Sequence, residues 1–286
     1  MATLWKGQPV ALAVTENLSG RISALKERGI EPQLGIVRVG QRPDDLSYEK
    51  GVIKRAEALG ISIRQYLFPE EVAQAELLTA IQEINQDHTV HGVLIFRPMP
   101  AHIDDQAVRN TLLASKDLDG ITNDSMAGVY SGTRLGFPPC TPAACMKILE
   151  HYGADLAGKK AVVIGRSLVV GKPAALMLIK KDATVTVCHT KTKDLAAVCR
   201  EADILIAAAG KAETIGAEYC RPGQVVIDVG IHVREDGSLC GDVDFPAVEP
   251  LVDAITPVPG GVGAVTTSIL LEHLVDAAER AAGTGA

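Results

Sequence analysis

The stretch that decides the fold lies in the middle of the chain and reads Val162-Val163-Ile164-Gly165-Arg166-Ser167-Leu168-Val169-Val170-Gly171-Lys172-Pro173. An apolar run that starts at Ala161 meets a glycine, then a hydroxyl side chain and a second glycine, and the sequence then becomes helix-like. This order is typical of a strand that leads into a phosphate-binding turn at a helix N-terminus. The spacing departs from GxGxxG, so the competing interpretation is an ordinary strand–helix turn. The βαβ context favours a nucleotide site.

Strand-like and helical patterns alternate on both sides of this stretch. Strands are predicted over residues 32–40, 61–68, 90–96, 161–164, 184–188, 202–208 and 225–229. Helices are predicted over residues 47–59, 72–85, 142–152, 172–181 and 266–281. This βαβ alternation predicts an α/β protein with mostly parallel sheets.

A proline cluster, Pro138-Pro139-Cys140-Thr141-Pro142, suits a domain boundary. We expect two αβα domains. The first comprises residues 1–140 and the closing segment 265–286, whose helix is expected to pack back on it. The second, residues 141–264, is expected to be Rossmann-like and to bind the nucleotide.

Composition and charge narrow the function classes. The formal net charge is −7 and aromatic residues make up 3% of the chain. Nucleic-acid binders usually show a basic face and stacking aromatics, so a small-molecule enzyme fits better.

No apolar run approaches the roughly 18 residues that span a bilayer, and no signal peptide is visible. Six scattered cysteines without a CxxC pair favour reduced thiols in the cytoplasm and argue against a metal site.

Four residues of the central turn are expected to contact the nucleotide. Gly165 and Gly171 bracket the turn, the Ser167 hydroxyl can donate to a phosphate, and Arg166 supplies a charged fork.

The end of the next strand favours NADP over NAD. An NAD site usually carries Asp or Glu about 20 residues after the glycine turn, where the carboxylate binds the ribose 2′-hydroxyl. Here the strand ends Val187-Cys188-His189-Thr190-Lys191, without a carboxylate. Arg166 and Thr190 suit a 2′-phosphate instead, although NAD remains possible. His189 and Lys191 read equally well as solvated loop residues.

Six motifs in a fixed order carry a resemblance to a known family. They are Val39-Gly40 with Tyr48 nine residues after Val39, Pro98-Met99-Pro100, Lys116-Asp117-Leu118-Asp119-Gly120, Pro139-Cys140-Thr141-Pro142, Gly165-Arg166-Ser167 through Gly171-Lys172-Pro173, and Thr256-Pro257-Val258-Pro259-Gly260-Gly261-Val262-Gly263. The chain resembles the methylenetetrahydrofolate dehydrogenase/methenyltetrahydrofolate cyclohydrolase family over nearly its whole length.

The resemblance implies an oxidoreductase of one-carbon metabolism and purine biosynthesis, with its active-site cleft between two domains. Such enzymes oxidise 5,10-methylenetetrahydrofolate by hydride transfer to NAD(P), and bifunctional members hydrolyse the methenyl product to 10-formyltetrahydrofolate. It also implies a homodimer formed through the nucleotide domain.

The resemblance assigns a role to each candidate site residue. Tyr48 and Asp119 would be the catalytic and folate-binding pair, with Tyr48 lining the folate cleft and Asp119 accepting N–H bonds from the pterin edge. Pro257 and Gly261 would shape the cleft near the nicotinamide. The nucleotide contacts would be Gly165, Arg166, Ser167, Gly171, Thr190 and Ile231. Taken singly, these residues would read as packing, turn or loop positions.

Two positions depart from the family pattern. The family lysine tied to cyclohydrolase chemistry sits four residues after the tyrosine, where this chain has Val52. The family glutamine that holds that lysine is replaced by Phe96. Lys50 and Lys54 project roughly 200° and 240° away from Tyr48 on a helix. Because both partners of one hydrogen bond become apolar, no buried polar group is orphaned. We therefore expect the dehydrogenase with weak or lost cyclohydrolase.

Three alternatives stay open at this point. Arg97 or Lys54 could serve as a substitute base in a fully bifunctional enzyme. The chain could instead be a non-catalytic folate or nucleotide sensor. A dehydrogenase similar to shikimate dehydrogenase shares the two-domain plan, but the 116–120 and 257–263 motifs weigh against it.

Overall fold

The computed structural model describes residues 1–283 and divides the chain into two compact units. One unit comprises Met1–Leu12 and Thr141–Thr266, and we call it the nucleotide unit. The other comprises Ala13–Cys140 and the segment from Thr267 onward, and we call it the N-terminal unit. Each is built around its own parallel sheet, which confirms the predicted two-domain α/β class.

The sheet of the N-terminal unit has three parallel strands, β2 (Gln33–Val39), β3 (Ser62–Phe68) and β4 (Gly92–Ile95), in the order β3-β2-β4. The central strand β2 is apolar along most of its length, as expected of a strand covered on both faces. The hydrophobic core around this sheet includes Val37, Val39, Leu77, Ile81, Val93 and Ile95.

The helices of the N-terminal unit follow the predicted order with shifted ends. They are α2 (Pro43–Ala58), α3 (Gln74–Gln86), α4 (Asp105–Thr111), α5 (Asn123–Ser131) and the closing helix α10 (Thr266–Ala281). Helix α2 begins four residues before the predicted start, because a proline fits the first turn of a helix. The sequence pattern does not predict α4 or α5. Helix α10 matches its predicted bounds and buries an apolar stripe that includes Leu270, Leu271 and Leu274.

The sheet of the nucleotide unit has six strands in the order β1-β11-β8-β7-β5-β6. The strands are β1 (Thr3–Leu4), β5 (Lys160–Ile164), β6 (Thr184–Cys188), β7 (Ile204–Ala207), β8 (Val225–Asp228) and β11 (Ala254–Ile255), and every pair is parallel. A short antiparallel pair, β9 (His232–Val233) and β10 (Leu239–Cys240), stands apart from this sheet.

Helices α7 (Gly171–Ile179), α8 (Leu195–Arg200) and α9 (Phe245–Val248) connect the strands of the nucleotide unit. Helix α6 (Cys140–His151) begins at the boundary between the units, and short 3₁₀ turns cover Ala114–Lys116, Ala217–Tyr219 and Val262–Ala264. Because β5 has β6 on one side and β7 on the other, the strand order reverses at β5. Open parallel sheets bind ligands beyond the carboxyl ends of strands at such a point.

The division differs from the predicted one at the N-terminus. The sequence predicts that residues 1–140 stay together, but Met1–Leu12 belong to the nucleotide unit. Strand β1 pairs with β11, and the Trp5 ring stacks on Tyr152 with centroids 5.0 Å apart. Helix α1 (Gly7–Glu27), which the sequence pattern does not predict, runs through the division at Leu12. A two-residue strand has no periodicity that a sequence could reveal.

Candidate functional site

The turn after β5 has a geometry that requires both of its glycines. Gly165 has φ of 128°, and a Cβ there would overlap the carbonyl oxygen of Ala208. A Cβ on Gly171 would overlap the carbonyl oxygen of Gly165. The close approach of these backbones leaves no room for a side chain at either glycine, as is typical of a phosphate-binding turn at a helix N-terminus.

Ser167 and Arg166 lie on the exposed side of this turn. The Ser167 Oγ accepts hydrogen bonds from the N–H groups of Val170 at 3.0 Å and Gly171 at 3.4 Å. In this arrangement the oxygen lone pairs fix the turn, while the hydroxyl proton can be donated outward. Arg166 extends the turn with an exposed guanidinium, the side chain best suited to a phosphate.

The end of β6 lies next to this turn, since the Gly165 N–H donates to the carbonyl of Cys188 at 2.9 Å. Thr190 follows two residues later and is exposed. His189 helps to shape the loop: its Nδ1 accepts the Lys191 N–H at 3.1 Å, and its own N–H donates to Thr192 Oγ1 at 2.9 Å. The loop thus presents hydroxyls and cations rather than a carboxylate, which suits a 2′-phosphate.

A cavity of about 280 Å³ opens in the same unit beyond β8 and β11. Its walls are glycine, proline and aliphatic residues, together with Asp228 at the end of β8. Three of the expected site residues, Ile231, Pro257 and Gly261, line this one cavity. Ile231 is an exposed aliphatic side chain, and a Cβ on Gly261 would crowd the Pro257 carbonyl. The cavity can hold a flat, mostly apolar ring.

The other two expected substrate residues, Tyr48 and Asp119, lie in the N-terminal unit. Tyr48 is on α2 and is 38% exposed, with its ring edge-on to Phe96 at a centroid distance of 6.0 Å. Asp119 is partly buried, and one carboxylate oxygen accepts the Cys140 N–H at 3.1 Å. Burial raises the pKa of the Asp119 carboxyl.

In the motif around Asp119, Lys116 and Asp117 hold backbone groups in place, while Asp119 stays partly accessible. Lys116 Nζ donates to the carbonyl of Asp87 at 2.6 Å and also to that of Ile84, which satisfies the end of α3. Asp117 accepts the N–H groups of Ile121 at 3.0 Å and Thr122 at 2.7 Å. These contacts fix the loop on both sides of Asp119.

The two positions that are expected to depart from the family pattern lie in the hydrophobic core. Val52 is 0% exposed and lies one turn after Tyr48 on α2, and Phe96 is 7% exposed just after β4. The two neighbouring lysines on the helix, Lys50 and Lys54, are both exposed. No lysine therefore stands one turn after Tyr48 on the buried face of α2.

Arg97, the other candidate substitute base, is held by an ion pair. Its Nε and Nη2 donate to the two carboxylate oxygens of Asp105 at 2.5 Å each, and Arg109 Nε donates to the same carboxylate at 2.9 Å. The hydrogen bond from Arg97 holds the pKa of the Asp105 carboxyl below its usual range. A guanidinium does not lose its proton in proteins, and this one is also fixed in position.

Sequence reasoning missed a polar network next to the cavity. Asp228 and Asp242 are buried and joined to one another through the Asp242 N–H, and His232 Nε2 is 2.7 Å from Asp242 Oδ1. One sequence signal could have indicated this network, because Asp228 directly ends an apolar strand. A carboxylate at such a position is buried only when several hydrogen-bond partners satisfy it.

Within residues 1–283, no group of three or more His, Cys, Asp or Glu side chains could hold a metal ion. Among these residues, no helix combines the length and the hydropathy that a membrane-spanning segment needs.

Comparisons with known proteins agree with the motifs. Residues 5–119 match the model of the tetrahydrofolate dehydrogenase/cyclohydrolase catalytic domain, and residues 139–282 match that of the NAD(P)-binding domain. The chain is 52% identical to the bifunctional protein FolD of Carboxydothermus hydrogenoformans, over 98% of each chain.

Two solved structures show the same likeness. The bifunctional FolD of Campylobacter jejuni superposes with a TM-score of 0.95 at 41% identity, covering 98% of this chain and 99% of that one. The FolD of Trypanosoma brucei, solved with NADP and an inhibitor, gives a TM-score of 0.91 at 32% identity, over 98% of each chain. The chain therefore belongs to the tetrahydrofolate dehydrogenase/cyclohydrolase family, with a catalytic domain followed by an NAD(P)-binding domain.

Proposed function

We propose that this protein oxidises 5,10-methylenetetrahydrofolate to 5,10-methenyltetrahydrofolate with NADP, and that its cyclohydrolase activity is weak or lost. A hydride leaves the methylene carbon for the cofactor, the folate becomes a cation, and no proton has to be moved. The observation that carries the second half of the proposal is the pair of buried apolar residues, Val52 and Phe96, one of them one turn after Tyr48.

NADP fits the residues of the nucleotide unit. The glycine turn with Ser167 would hold the pyrophosphate, and Arg166 with Thr190 would hold the 2′-phosphate. The cavity bounded by Ile231 and Pro257 would take the nicotinamide. When bound, NADP supplies the hydride acceptor, and the protein supplies position and orientation.

In the N-terminal unit, Tyr48 and Asp119 are the proposed folate contacts. Asp119 would accept N–H bonds from the pterin edge, and Tyr48 would line the substrate surface. The Cys140 N–H already orients the Asp119 carboxylate, so the group does not have to be ordered when substrate binds.

Hydrolysis of the methenyl product needs a group that manages the proton of the attacking water. Val52 and Phe96 cannot do this. Lys54 is exposed, and Arg97 is committed to Asp105. These contacts support a dehydrogenase without an efficient second step.

A fully bifunctional enzyme is the second candidate. It is favoured by the relative that is 52% identical to this chain and is named bifunctional. In that case another group would take over the role of the family lysine. Lys54 would be the first to test, because it is exposed, whereas Asp105 holds Arg97.

Two absorbance assays on one preparation separate the candidates. The first follows reduction of NADP, and then of NAD, with methylenetetrahydrofolate. The second follows decay of methenyltetrahydrofolate against its spontaneous rate. Reduction without accelerated decay supports the proposal. Decay at a rate comparable to reduction supports the bifunctional enzyme, and binding of NADP without reduction would identify a sensor.

We also propose a cytoplasmic homodimer that serves purine biosynthesis, on the basis of the family resemblance. The six cysteines are free and buried, as suits a reducing compartment. Light scattering coupled to gel filtration tests the dimer: a mass near 60 kDa, twice the 30.1 kDa of one chain, is expected.

A further inference from the structure

Two buried carboxylates connect the loops that follow neighbouring strands of the nucleotide unit. Asp228, the last residue of β8, accepts the N–H of Gly230 at 3.0 Å through Oδ1. The same oxygen accepts the N–H of Asp242, and Oδ2 accepts that of Val243, both at 3.0 Å. One carboxylate therefore binds the loop after β8 to the segment after β10.

Asp242 extends the connection to the loop after β7. Its Oδ2 accepts the N–H of Gly210 at 3.0 Å, and its Oδ1 accepts the N–H of Lys211 at 3.0 Å. His232 Nε2 donates to Oδ1 as well, at 2.7 Å, from the strand that follows the cavity loop. The side chain of Asp242 is fully buried.

The backbone is shaped around these two side chains. A Cβ on Gly230 would overlap the Asp242 N–H and carboxylate, and a Cβ on Gly241 would overlap the Asp228 carboxylate. The Asp228 N–H donates to Thr256 Oγ1 at 2.8 Å, and Thr256 directly precedes Pro257 in the cavity wall. The network thus reaches the loops after three adjacent strands, β7, β8 and β11.

Placing two carboxylates side by side in a protein interior costs free energy, since burial and like charge both oppose ionisation. The pKa of Asp228 is raised by burial to about 6, and the nearby Asp242 contributes to this. Such a pair is a poor way to gain stability but a good way to fix backbone N–H groups.

We propose that His232 and Asp242 are positioning residues for the nicotinamide half of the cofactor. Neither lines the cavity, but three lining residues lie next to them. Asp228 accepts the Asp242 N–H, Gly230 packs against the Asp242 carboxylate, and Ile231 directly precedes His232. Through these contacts the pair ties the cavity-lining residues 229–231 to the backbone of residues 210–211, and so holds them in the shape that receives the ring. The inference rests on the proposed function, because it takes the cavity as the nicotinamide site.

The test compares NADP with 2′,5′-ADP, which carries the adenosine half alone and should bind only at the glycine turn and the end of β6. Calorimetry gives both affinities for the wild type and for Asp242→Asn, His232→Leu and His232→Gln. We expect Asp242→Asn and His232→Leu to lower the affinity for NADP by about tenfold or more, as for loss of one charge-assisted hydrogen bond. The affinity for 2′,5′-ADP should stay within about twofold of the wild-type value. His232→Gln keeps an N–H donor and should restore most of the NADP affinity.

Arg234→Gln is the matched control, because Arg234 directly follows β9 and pairs with exposed Glu213 rather than with the network. It should leave both affinities unchanged. Equal weakening of NADP and 2′,5′-ADP in the variants, or no weakening of either, would overturn the inference. If Asp242→Asn fails to fold, His232→Leu decides, since that side chain is 25% exposed. A wild type that binds neither ligand would instead refute the proposed function.

Discussion

The ring of Tyr48 meets the ring of Phe96 edge-on, with centroids 6.0 Å apart and planes inclined at 72°. This contact joins the proposed substrate surface on α2 to the end of β4. The resemblance carried by the motifs implies a glutamine at the position of Phe96, which would bring a polar amide to the same place. Under the proposed function, the contact lies where the chemistry of this chain would differ from that of a bifunctional member.

Restoring both family residues should create cyclohydrolase activity. We expect Val52→Lys with Phe96→Gln to accelerate methenyltetrahydrofolate decay at least tenfold over the wild type, because a positioned proton-transfer group contributes about 10² to 10⁴ in rate. Val52→Lys alone should unfold at a lower denaturant concentration than the wild type, since it buries an ammonium group without a partner. Val52→Met is the apolar control and should leave decay at the wild-type rate. Failure of a folded double variant to accelerate decay would contradict the assignment.

Arg166→Gln should convert the cofactor preference. Loss of a guanidinium–phosphate contact is expected to lower the affinity for NADP by about 10- to 100-fold, as for loss of a hydrogen bond to a charged group. NAD has no 2′-phosphate, so its KM should stay within about twofold of the wild type. Lys181→Gln, after the far end of α7, serves as the control. Equal loss of both cofactors would place Arg166 elsewhere than at the 2′-phosphate.

Gly171→Ala should abolish NADP binding, because the new methyl would overlap the Gly165 carbonyl and open the turn. Gly51→Ala is the matched change on α2, where nothing lies within 4 Å of a new Cβ. It should raise the free energy of unfolding by about 0.5–1 kcal/mol, since alanine is the better helix former. Urea unfolding and NADP titration of both variants check these outcomes. Wild-type affinity in Gly171→Ala would show that the turn does not hold the cofactor.

The Asp228 carboxyl should titrate near pH 6 in the folded protein, because burial raises its pKa to about 6. A raised carboxyl pKa means that the folded state binds more protons than the unfolded state between about pH 4 and pH 6. The contribution of Asp228 to the free energy of unfolding should therefore fall as pH rises through that window. Carbon-detected NMR of the side-chain carboxyl measures the titration directly. A midpoint below pH 4 would show that the three N–H donors outweigh burial.

Asp119→Asn should lower kcat/KM for methylenetetrahydrofolate by about 100-fold, because an amide replaces a carboxylate that accepts N–H donors from the ligand. The KM for NADP should not change, since the substitution alters none of the proposed nucleotide contacts. Steady-state rates at varied folate and at varied NADP separate the two effects. Asp155→Asn, on an exposed loop of the nucleotide unit, is a suitable control.

The sequence predicted the long parallel strands and the closing helix well, because buried runs such as residues 161–164 carry their own pattern. It did not predict helix α1, whose Gly7, Pro9 and Gly20 obscure the helical period. It also could not assign β1 to the nucleotide unit, because only pairing with β11 defines that strand.

The glycine turn could be recognised from sequence because its chemistry is local. The hydrogen bonds that the Ser167 and Asp242 side chains accept could not, since they depend on which backbone N–H groups meet each side chain in the fold. The ion pair that holds Arg97 is likewise visible only once β4 and α4 have been folded.

Strand β1 has a practical consequence for dissecting the protein. A fragment that starts at the matched NAD(P)-binding region, residue 139, would lack Thr3–Leu4 and leave β11 as a bare sheet edge. It would also lose Trp5 from the face of Tyr152. Such a fragment is expected to aggregate unless a synthetic peptide of the first twelve residues is added in trans, so the nucleotide unit lends itself to split-protein complementation.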